Sequence, residues 1–235
     1  MENDFTVNIP KKRLYINRNT PIVTYILIAL CVLVYILDAI SELFLGTPML
    51  TLLGAKINYY IFLGNQYHRL FTPMFLHSGI MHIFFNMFAL FAWGRQLEAL
   101  LGRARYLFVY IASGVLGCCC SYAFSSATSV GASGAIFGLF GALLYFRKDY
   151  KEVFNTFFGV QVLIIIAINI LNGFIAADID NFGHIGGLIG GFIACGITGF
   201  YGQKQRPMIR IAFSAILAVL VLGLVIGRNL YYISL

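Results

Sequence analysis

The chain has 235 residues, of which 60% are hydrophobic and only 11% are charged, and its formal net charge is +7. A soluble domain carries about 25% charged residues, so the composition excludes a disordered chain and an ordinary soluble enzyme and indicates a polytopic membrane protein. The positive charge is spread in short groups between apolar runs rather than gathered in one patch, and we therefore expect no nucleic-acid partner.

Apolar segments of the length needed to cross a bilayer predict seven membrane helices. In chain order these segments are residues 21–45, 79–100, 106–124, 133–146, 157–174, 182–200 and 211–226. The fourth segment is short, so we expect it to begin below the membrane surface, where neighbouring helices or trapped water satisfy its backbone. The predicted fold class is an all-α polytopic transmembrane helix bundle.

The distribution of lysine and arginine predicts how these helices are oriented. Most of the 16 basic residues lie in the N-terminal tail and in the loops after the second, fourth and sixth helices, whereas Lys56, Arg69 and Arg228 lie on the other side. Cytoplasmic loops carry the excess of basic residues, so we expect the N-terminus in the cytoplasm and the C-terminus outside. A compact chain without a transit peptide or a long soluble domain favours a bacterial plasma membrane.

Polar side chains inside the predicted helices fall in one layer of the membrane. His82 and Asn86 lie near the start of the second helix, Ser133 opens the fourth, and His184 lies in the first turn of the sixth. All three helices are predicted to start at the outer face, so the four side chains share one depth, and His82 and Asn86 share one helix face. Polar groups inside a membrane are costly and by default indicate function.

Glycines predict which of these helices touch. The fourth helix begins SGAIFGLFG (133–141), and the sixth begins with GHIGGLIGG (183–191). Small residues four positions apart let membrane helices approach closely, and His184 shares one face with Gly187. If that face packs on the glycines of the fourth helix, His184 comes near Ser133. Glycines alone could equally pack a transporter or a scaffold, and the Ser–His pair at matched depth is the more specific indication.

This set of residues can perform acyl transfer. A serine hydroxyl becomes a good nucleophile when a base removes its proton, and His184 is the candidate base for Ser133. The N–H of Ser133 at a helix N-terminus, with the side chains of His82 and Asn86, could hold an oxyanion. One such donor contributes roughly 3–4 kcal/mol in a hydrolase.

Two alternatives receive less support from the residues. A metal site could use the histidines, but no HExxH motif is present, and the carboxylates nearest to His184 are Asp178 and Asp180 in a loop. We therefore expect no metal and no cofactor. A channel or transporter would need polar residues along a whole path, and here they cluster on one side.

Three motifs together resemble the rhomboid intramembrane serine proteases: HSGIMHIFFN (77–86), GASGAIFG (131–138) and GHIGGLIGG (183–191). They occur in the family's order on its second, fourth and sixth helices, and the resemblance covers roughly residues 21–200. It implies that Ser133 is the nucleophile and His184 the general base of a dyad that has no acid. It also implies that His82, Asn86 and the backbone N–H of Ser133 line the oxyanion hole.

The resemblance implies further roles and a division of the chain. Phe137 occupies the position of an aromatic that packs on the dyad histidine, and the motif glycines Gly131, Gly134 and Gly187 support the dyad. Residues 1–20 are expected to form a cytoplasmic basic tail, 21–200 a six-helix catalytic domain, and 201–235 a cytoplasmic linker and a seventh helix. The chain departs from the family at His68, where many members have tryptophan, and at Gly183, where many have alanine.

The function implied by the resemblance is that of an intramembrane serine endopeptidase. It would hydrolyse peptide bonds within or near transmembrane segments of membrane-protein substrates, through an acyl-enzyme. Its partners would be those substrates and the lipid bilayer, and its active site would open to the outer side of the membrane. The alternative is a catalytically silent rhomboid-like scaffold that binds membrane helices.

Overall fold

The computed structural model describes residues 4–9, 12–17, 19–176 and 179–234. Parts of the predicted N-terminal tail, and Asp178 in the loop before the sixth predicted helix, lie outside these residues. The helices of the described part are α1 (Ile22–Leu45), α2 (Met49–Gly54), α3 (Asn58–Phe62), α4 (Ile80–Ala89), α5 (Arg95–Leu101), α6 (Arg103–Phe124), α7 (Ser133–Asp149), α8 (Lys151–Phe157), α9 (Gly159–Ile175), α10 (Asn181–Thr198) and α11 (Pro207–Ile233). The predicted all-α bundle is confirmed.

The helices only partly follow the seven predicted segments. By length and apolar composition, α1, α6, α10 and α11 could each cross a membrane, and α8 with α9 would form a fifth span with a 77° bend. The second predicted helix consists of α4, a π-helical turn (Leu90–Gly94) and α5. The fourth is α7, whose 17 residues are mostly buried by neighbouring helices, as expected for a helix that begins inside the bundle.

Three helices, α6, α7 and α10, pack against one another at the centre of the bundle. The closest approach is between α7 and α10, where a Cβ on Gly191 would lie 1.7 Å from the carbonyl oxygen of Gly138. A Cβ on Gly187 would lie 2.0 Å from the carbonyl oxygen of Gly134. Any larger residue would push the helices apart, so the glycine pattern determines their spacing.

A β-hairpin occupies part of the segment that we expected to be a tail. Strands β1 (Asp4–Ile9) and β2 (Lys12–Asn17) pair antiparallel, with Phe5 opposite Ile16. Apolar residues alternate with polar ones along β1 (DFTVNI), a period typical of β-structure. Leu14 is fully buried, and β2 packs near α5.

The loop between α1 and α4, which is predicted to lie on the outer side and is called the outer loop below, contains two buried basic residues. The Arg69 guanidinium donates to the carbonyl oxygens of Ala55 (2.8 Å) and Leu52 (3.0 Å) at the end of α2. Lys56 pairs through its backbone with Ser129 in both directions, at 3.0 and 3.1 Å. Since Ser129 lies four residues before α7, the outer loop is connected directly to the segment that leads into Ser133.

The C-terminal end of α11 packs on the same loop. The Asn58 side-chain amide donates to the Tyr232 hydroxyl at 3.1 Å, and the rings of Phe62 and Tyr232 lie 5.0 Å apart. Asn229 donates to the Tyr67 hydroxyl at 3.3 Å. The seventh predicted helix therefore holds the outer loop in addition to flanking α6 and α10.

Candidate active site

The side chains of Ser133 and His184 meet at the centre of the bundle, with 2.9 Å between Ser133 Oγ and His184 Nε2. Ser133 is the first residue of α7, and Ala132 before it offers no capping side chain. Backbone N–H groups in the first turn of a helix have no acceptor within the helix, and they give the N-terminus a partial positive charge. The hydroxyl therefore lies next to a group of backbone donors.

Glycines bring the first turn of α10 into this position. A Cβ on Gly117 of α6 would lie 2.7 Å from the carbonyl oxygen of Gly183, and a Cβ on Gly134 of α7 would lie 3.3 Å from the same atom. The start of α10 thus fits between α6 and α7 with no room for side chains. Gly134 and Gly187, two of the residues predicted to support the dyad, lie at this contact.

Phe137 covers one face of the His184 imidazole. The two rings are parallel within 7°, and their centroids lie 4.2 Å apart. His184 is buried, and within the described part of the chain its Nδ1 has no hydrogen-bond partner. The orientation of the imidazole is therefore set by the stacked ring on its face and by Ser133 at its Nε2.

The His82 ring lies against Gly131, next to Ser133. Gly131 has a φ of +126°, and a Cβ at this position would lie 2.7 Å from His82 Nε2 and 3.8 Å from Ser133 Oγ. A side chain at residue 131 would occupy the space in which the imidazole sits beside the serine. Gly131 is required both for its backbone angle and for this space.

Sequence reasoning missed Ser78, which holds the other side of the His82 ring. Ser78 Oγ lies 3.1 Å from His82 Nδ1. When the hydroxyl donates to Nδ1, Nε2 carries the ring proton and can donate toward Ser133. The spacing of four residues at a helix start could have indicated this contact.

Asn86 lies one turn further along α4. Its side chain is buried, and the amide donates to the carbonyl oxygen of His82 at 2.8 Å. One of its two amide protons is therefore committed to the helix backbone. The structure thus brings Ser133, His184, Phe137 and His82 together, and Asn86 is linked to this group through the backbone of His82.

A cavity of about 20 Å³ adjoins the Ser–His pair, and it is lined in part by Pro73, Met74, Cys118, Gly131 and Asp180. This volume can hold about one water molecule. Within the described residues, no three His, Cys, Asp or Glu side chains are grouped so that they could hold a metal ion. The arrangement is a serine hydroxyl hydrogen-bonded to an imidazole at the N-terminus of a helix.

A family model described as a rhomboid domain matches residues 64–202, a range that contains all of these site residues. The chain is 41% identical over 217 residues to "Rhomboid protease GluP" of Bacillus subtilis (strain 168), which covers 90% of this chain and 40% of GluP. It is 34% identical over 179 residues to "Putative rhomboid protease YdcA" of the same organism, covering 74% of this chain and 86% of YdcA. The chain thus spans less than half the length of GluP.

The similarity extends to plants. The chain is 37% identical over 174 residues to "RHOMBOID-like protein 1" of Arabidopsis thaliana, covering 69% of this chain and 44% of that protein. Together with the apolar helices, these matches identify a multi-pass membrane protein.

Proposed function

Because the chain belongs to the rhomboid family, we propose that it is an intramembrane serine endopeptidase with Ser133 as nucleophile and His184 as general base. Its substrates are membrane proteins, cut within or near their transmembrane segments. The observation that carries the proposal is the hydrogen bond of 2.9 Å between Ser133 Oγ and His184 Nε2, made by two helix starts that glycines hold together.

Acylation begins when His184 Nε2 takes the Ser133 proton while Oγ attacks the carbonyl carbon of the scissile bond. The carbonyl electron pair moves to oxygen. The backbone N–H of Ser133 and Nε2–H of His82 are the donors best placed to stabilise the oxyanion, with Asn86 in support through its bond to the backbone of His82. The C–N bond then breaks, and the imidazolium gives its proton to the leaving amine.

Deacylation repeats these steps with water as nucleophile. His184 takes a proton from the water as its oxygen attacks the ester carbon, and a second oxyanion forms at the same donors. Breakage of the bond to Ser133 Oγ releases the new carboxyl end of the substrate, and His184 returns the proton to the serine. We propose that this water occupies the small cavity beside Ser133 and His184 before it reacts.

A substrate helix must unwind locally before this chemistry, because its carbonyl groups are hydrogen-bonded within the helix.

We propose that the enzyme lies in a bacterial plasma membrane, with its N-terminus in the cytoplasm and its C-terminus and active-site opening outside. A reporter fused at the C-terminus tests this topology: it should be active outside, and a cytoplasmic signal would remove the seventh span from the proposal.

The decisive experiment is covalent labelling of the purified protein in detergent with a fluorophosphonate probe. We expect the wild type to be labelled at Ser133 and to cleave a transmembrane reporter substrate, and we expect Ser133→Ala and His184→Ala to do neither while remaining folded. Substantial cleavage by Ser133→Ala would eliminate the nucleophile. A folded wild-type protein that neither reacts nor cleaves would favour the silent scaffold.

A further inference from the structure

The turn that carries His184 also carries a carboxylate. Asp180 caps the N-terminus of α10: its Oδ1 accepts a hydrogen bond from Gly183 N at 2.9 Å, and its carbonyl oxygen accepts one from His184 N at 3.1 Å. Asp180 also borders the cavity that adjoins Ser133 and His184. Among the described residues that line this cavity, it is the one acid.

Gly183 gives this carboxylate its room. A Cβ at residue 183 would lie 2.9 Å from Asp180 Oδ2 and 3.0 Å from Asp180 Cγ, and the three atoms nearest to it all belong to the Asp180 side chain. At this position, where many family members have alanine, the glycine leaves space that the Asp180 side chain occupies. The Asp180 carboxylate therefore lies against the backbone of Gly183, the residue before His184.

The reaction creates a positive charge that needs a partner. His184 is buried, and in the part of the chain that the structure describes its Nδ1 has no hydrogen-bond acceptor. The imidazolium formed during acylation is therefore a buried cation with no direct counterion, which is unfavourable. Asp180 and His184 line the same small cavity, and the Asp180 carbonyl oxygen accepts a hydrogen bond from His184 N at 3.1 Å, so the carboxylate belongs to the same turn as the imidazole. A nearby negative charge favours the charged form of an imidazole.

We propose that Asp180 is a positioning residue of the dyad, whose negative charge stabilises the His184 imidazolium through space, without a hydrogen bond to it. The inference rests on the proposed protease function and deepens it. A dyad helped in this way needs no hydrogen bond at His184 Nδ1 and still gains part of the charge stabilisation that a triad acid supplies.

Other groups facing this turn affect the same balance of charge. His82 of α4 lies beside Ser133 at Gly131, and Cys120 of α6 lies against Gly186 of α10. Cys118 of α6 lines the cavity together with Asp180. The charge of Lys56 in the outer loop also acts electrostatically on Asp180. Any comparison of pH profiles must leave these four residues unchanged.

The test distinguishes the effect of the negative charge of Asp180 from the effect of its hydrogen bond that caps α10. Asp180→Asn keeps an oxygen that can accept from Gly183 N, and asparagine caps helices as well as aspartate, whereas Asp180→Ala removes both charge and cap. We measure kcat, KM and the pH profile of kcat/KM in detergent with a transmembrane reporter substrate, and thermal unfolding. Glu152→Gln, which removes an exposed acid beyond the opposite end of α7, controls for overall charge.

We expect Asp180→Asn to unfold near the wild-type temperature with unchanged KM. Its kcat should fall about five- to ten-fold, and the acidic limb of its pH profile should move to lower pH, since one pKa unit corresponds to a tenfold change in protonation equilibrium. Gly183→Ala, which displaces the carboxylate, should lower kcat in the wild type but have no further effect in Asp180→Ala.

Two results would overturn the inference. An Asp180→Asn variant with wild-type kcat and pH profile, beside an unstable Asp180→Ala, would reduce Asp180 to a helix cap while leaving the protease function intact. A wild-type protein that fails to react at Ser133 with the fluorophosphonate probe would overturn both the inference and the proposed function, and the two failures are thereby distinguished.

Discussion

Phe137 and His184 are stacked face to face, with ring centroids 4.2 Å apart and 7° between the ring planes. Phe137 lies one turn after Ser133 on α7, so the helix that supplies the proposed nucleophile also orients the proposed base. An aromatic pair of this kind contributes about 0.5–1.5 kcal/mol beyond the area it buries.

Phe137→Leu should therefore lower kcat by about two- to ten-fold with little change in KM, because it removes the stack but keeps an apolar side chain. Phe137→Tyr should retain most of the activity. The measurement is steady-state kinetics with the reporter substrate, and Phe157→Leu, at an exposed site on α8, is the matched control. A Phe137→Leu variant with raised KM and wild-type kcat would assign Phe137 to substrate binding.

His82→Ala should reduce kcat by about 10²–10³-fold, because it removes a donor to the oxyanion, an interaction made chiefly in the transition state. Asn86→Ala should reduce kcat less, since its amide acts through the backbone of His82. Both variants should bind the substrate as the wild type does. A loss confined to substrate affinity would contradict the oxyanion role.

Ser78→Ala should lower kcat by about three- to ten-fold, because the bond from Ser78 Oγ to His82 Nδ1 at 3.1 Å holds the imidazole in position, and a neutral hydrogen bond contributes about 0.5–1.5 kcal/mol. In a His82→Ala background the same change should have no effect. Equal losses in both backgrounds would show that Ser78 acts elsewhere.

Gly191→Ala should destabilise the protein by about 1–3 kcal/mol or more, because its Cβ would lie 1.7 Å from the carbonyl oxygen of Gly138. The matched control is Gly223→Ala on α11, whose Cβ would meet nothing within 4 Å. That change should be neutral or slightly stabilising, as alanine favours a helix more than glycine does. Thermal unfolding in detergent compares the two, and similar melting temperatures would refute the close packing of α7 on α10.

Lys56 should make the free energy of unfolding depend on pH in the alkaline range. Its ammonium is buried in the outer loop and donates to the carbonyl oxygens of Ala127 (2.6 Å) and Ser125 (3.1 Å). Burial lowers the pKa of Lys56 from 10.5 to about 8. Between these values the unfolded chain binds more protons than the folded one, so the contribution of Lys56 to the free energy of unfolding rises with pH and is constant below about pH 8.

The melting temperature of the wild type minus that of Lys56→Met should therefore increase from pH 8 to pH 10. Lys148→Met, at an exposed position, should show no such trend. Thermal unfolding in detergent across this range measures both. A difference that stays flat would mean that Lys56 is not desolvated in the folded protein.

The sequence alone was enough to predict the membrane class and the all-α bundle. Hydropathy and side-chain period are properties of consecutive residues, so they can be evaluated without a fold. Glycine spacing also predicted that α7 and α10 meet, because close approach of two helices needs small residues on both faces. The juxtaposition of Ser133 and His184 followed from those two arguments.

Other features could not be predicted, because they depend on residues far apart in the chain or on the rotation of a ring. The contact of Lys56 with the end of α6, the packing of α11 on the outer loop and the hairpin on α5 each join segments with no shared period. Likewise, His184 was predicted to be near Ser133, but only the packed structure determined that its Nε2 faces the hydroxyl and that Asp180 folds over Gly183. Periodicity specifies which face of a helix is buried, whereas the partner of each polar atom is decided by close packing in three dimensions.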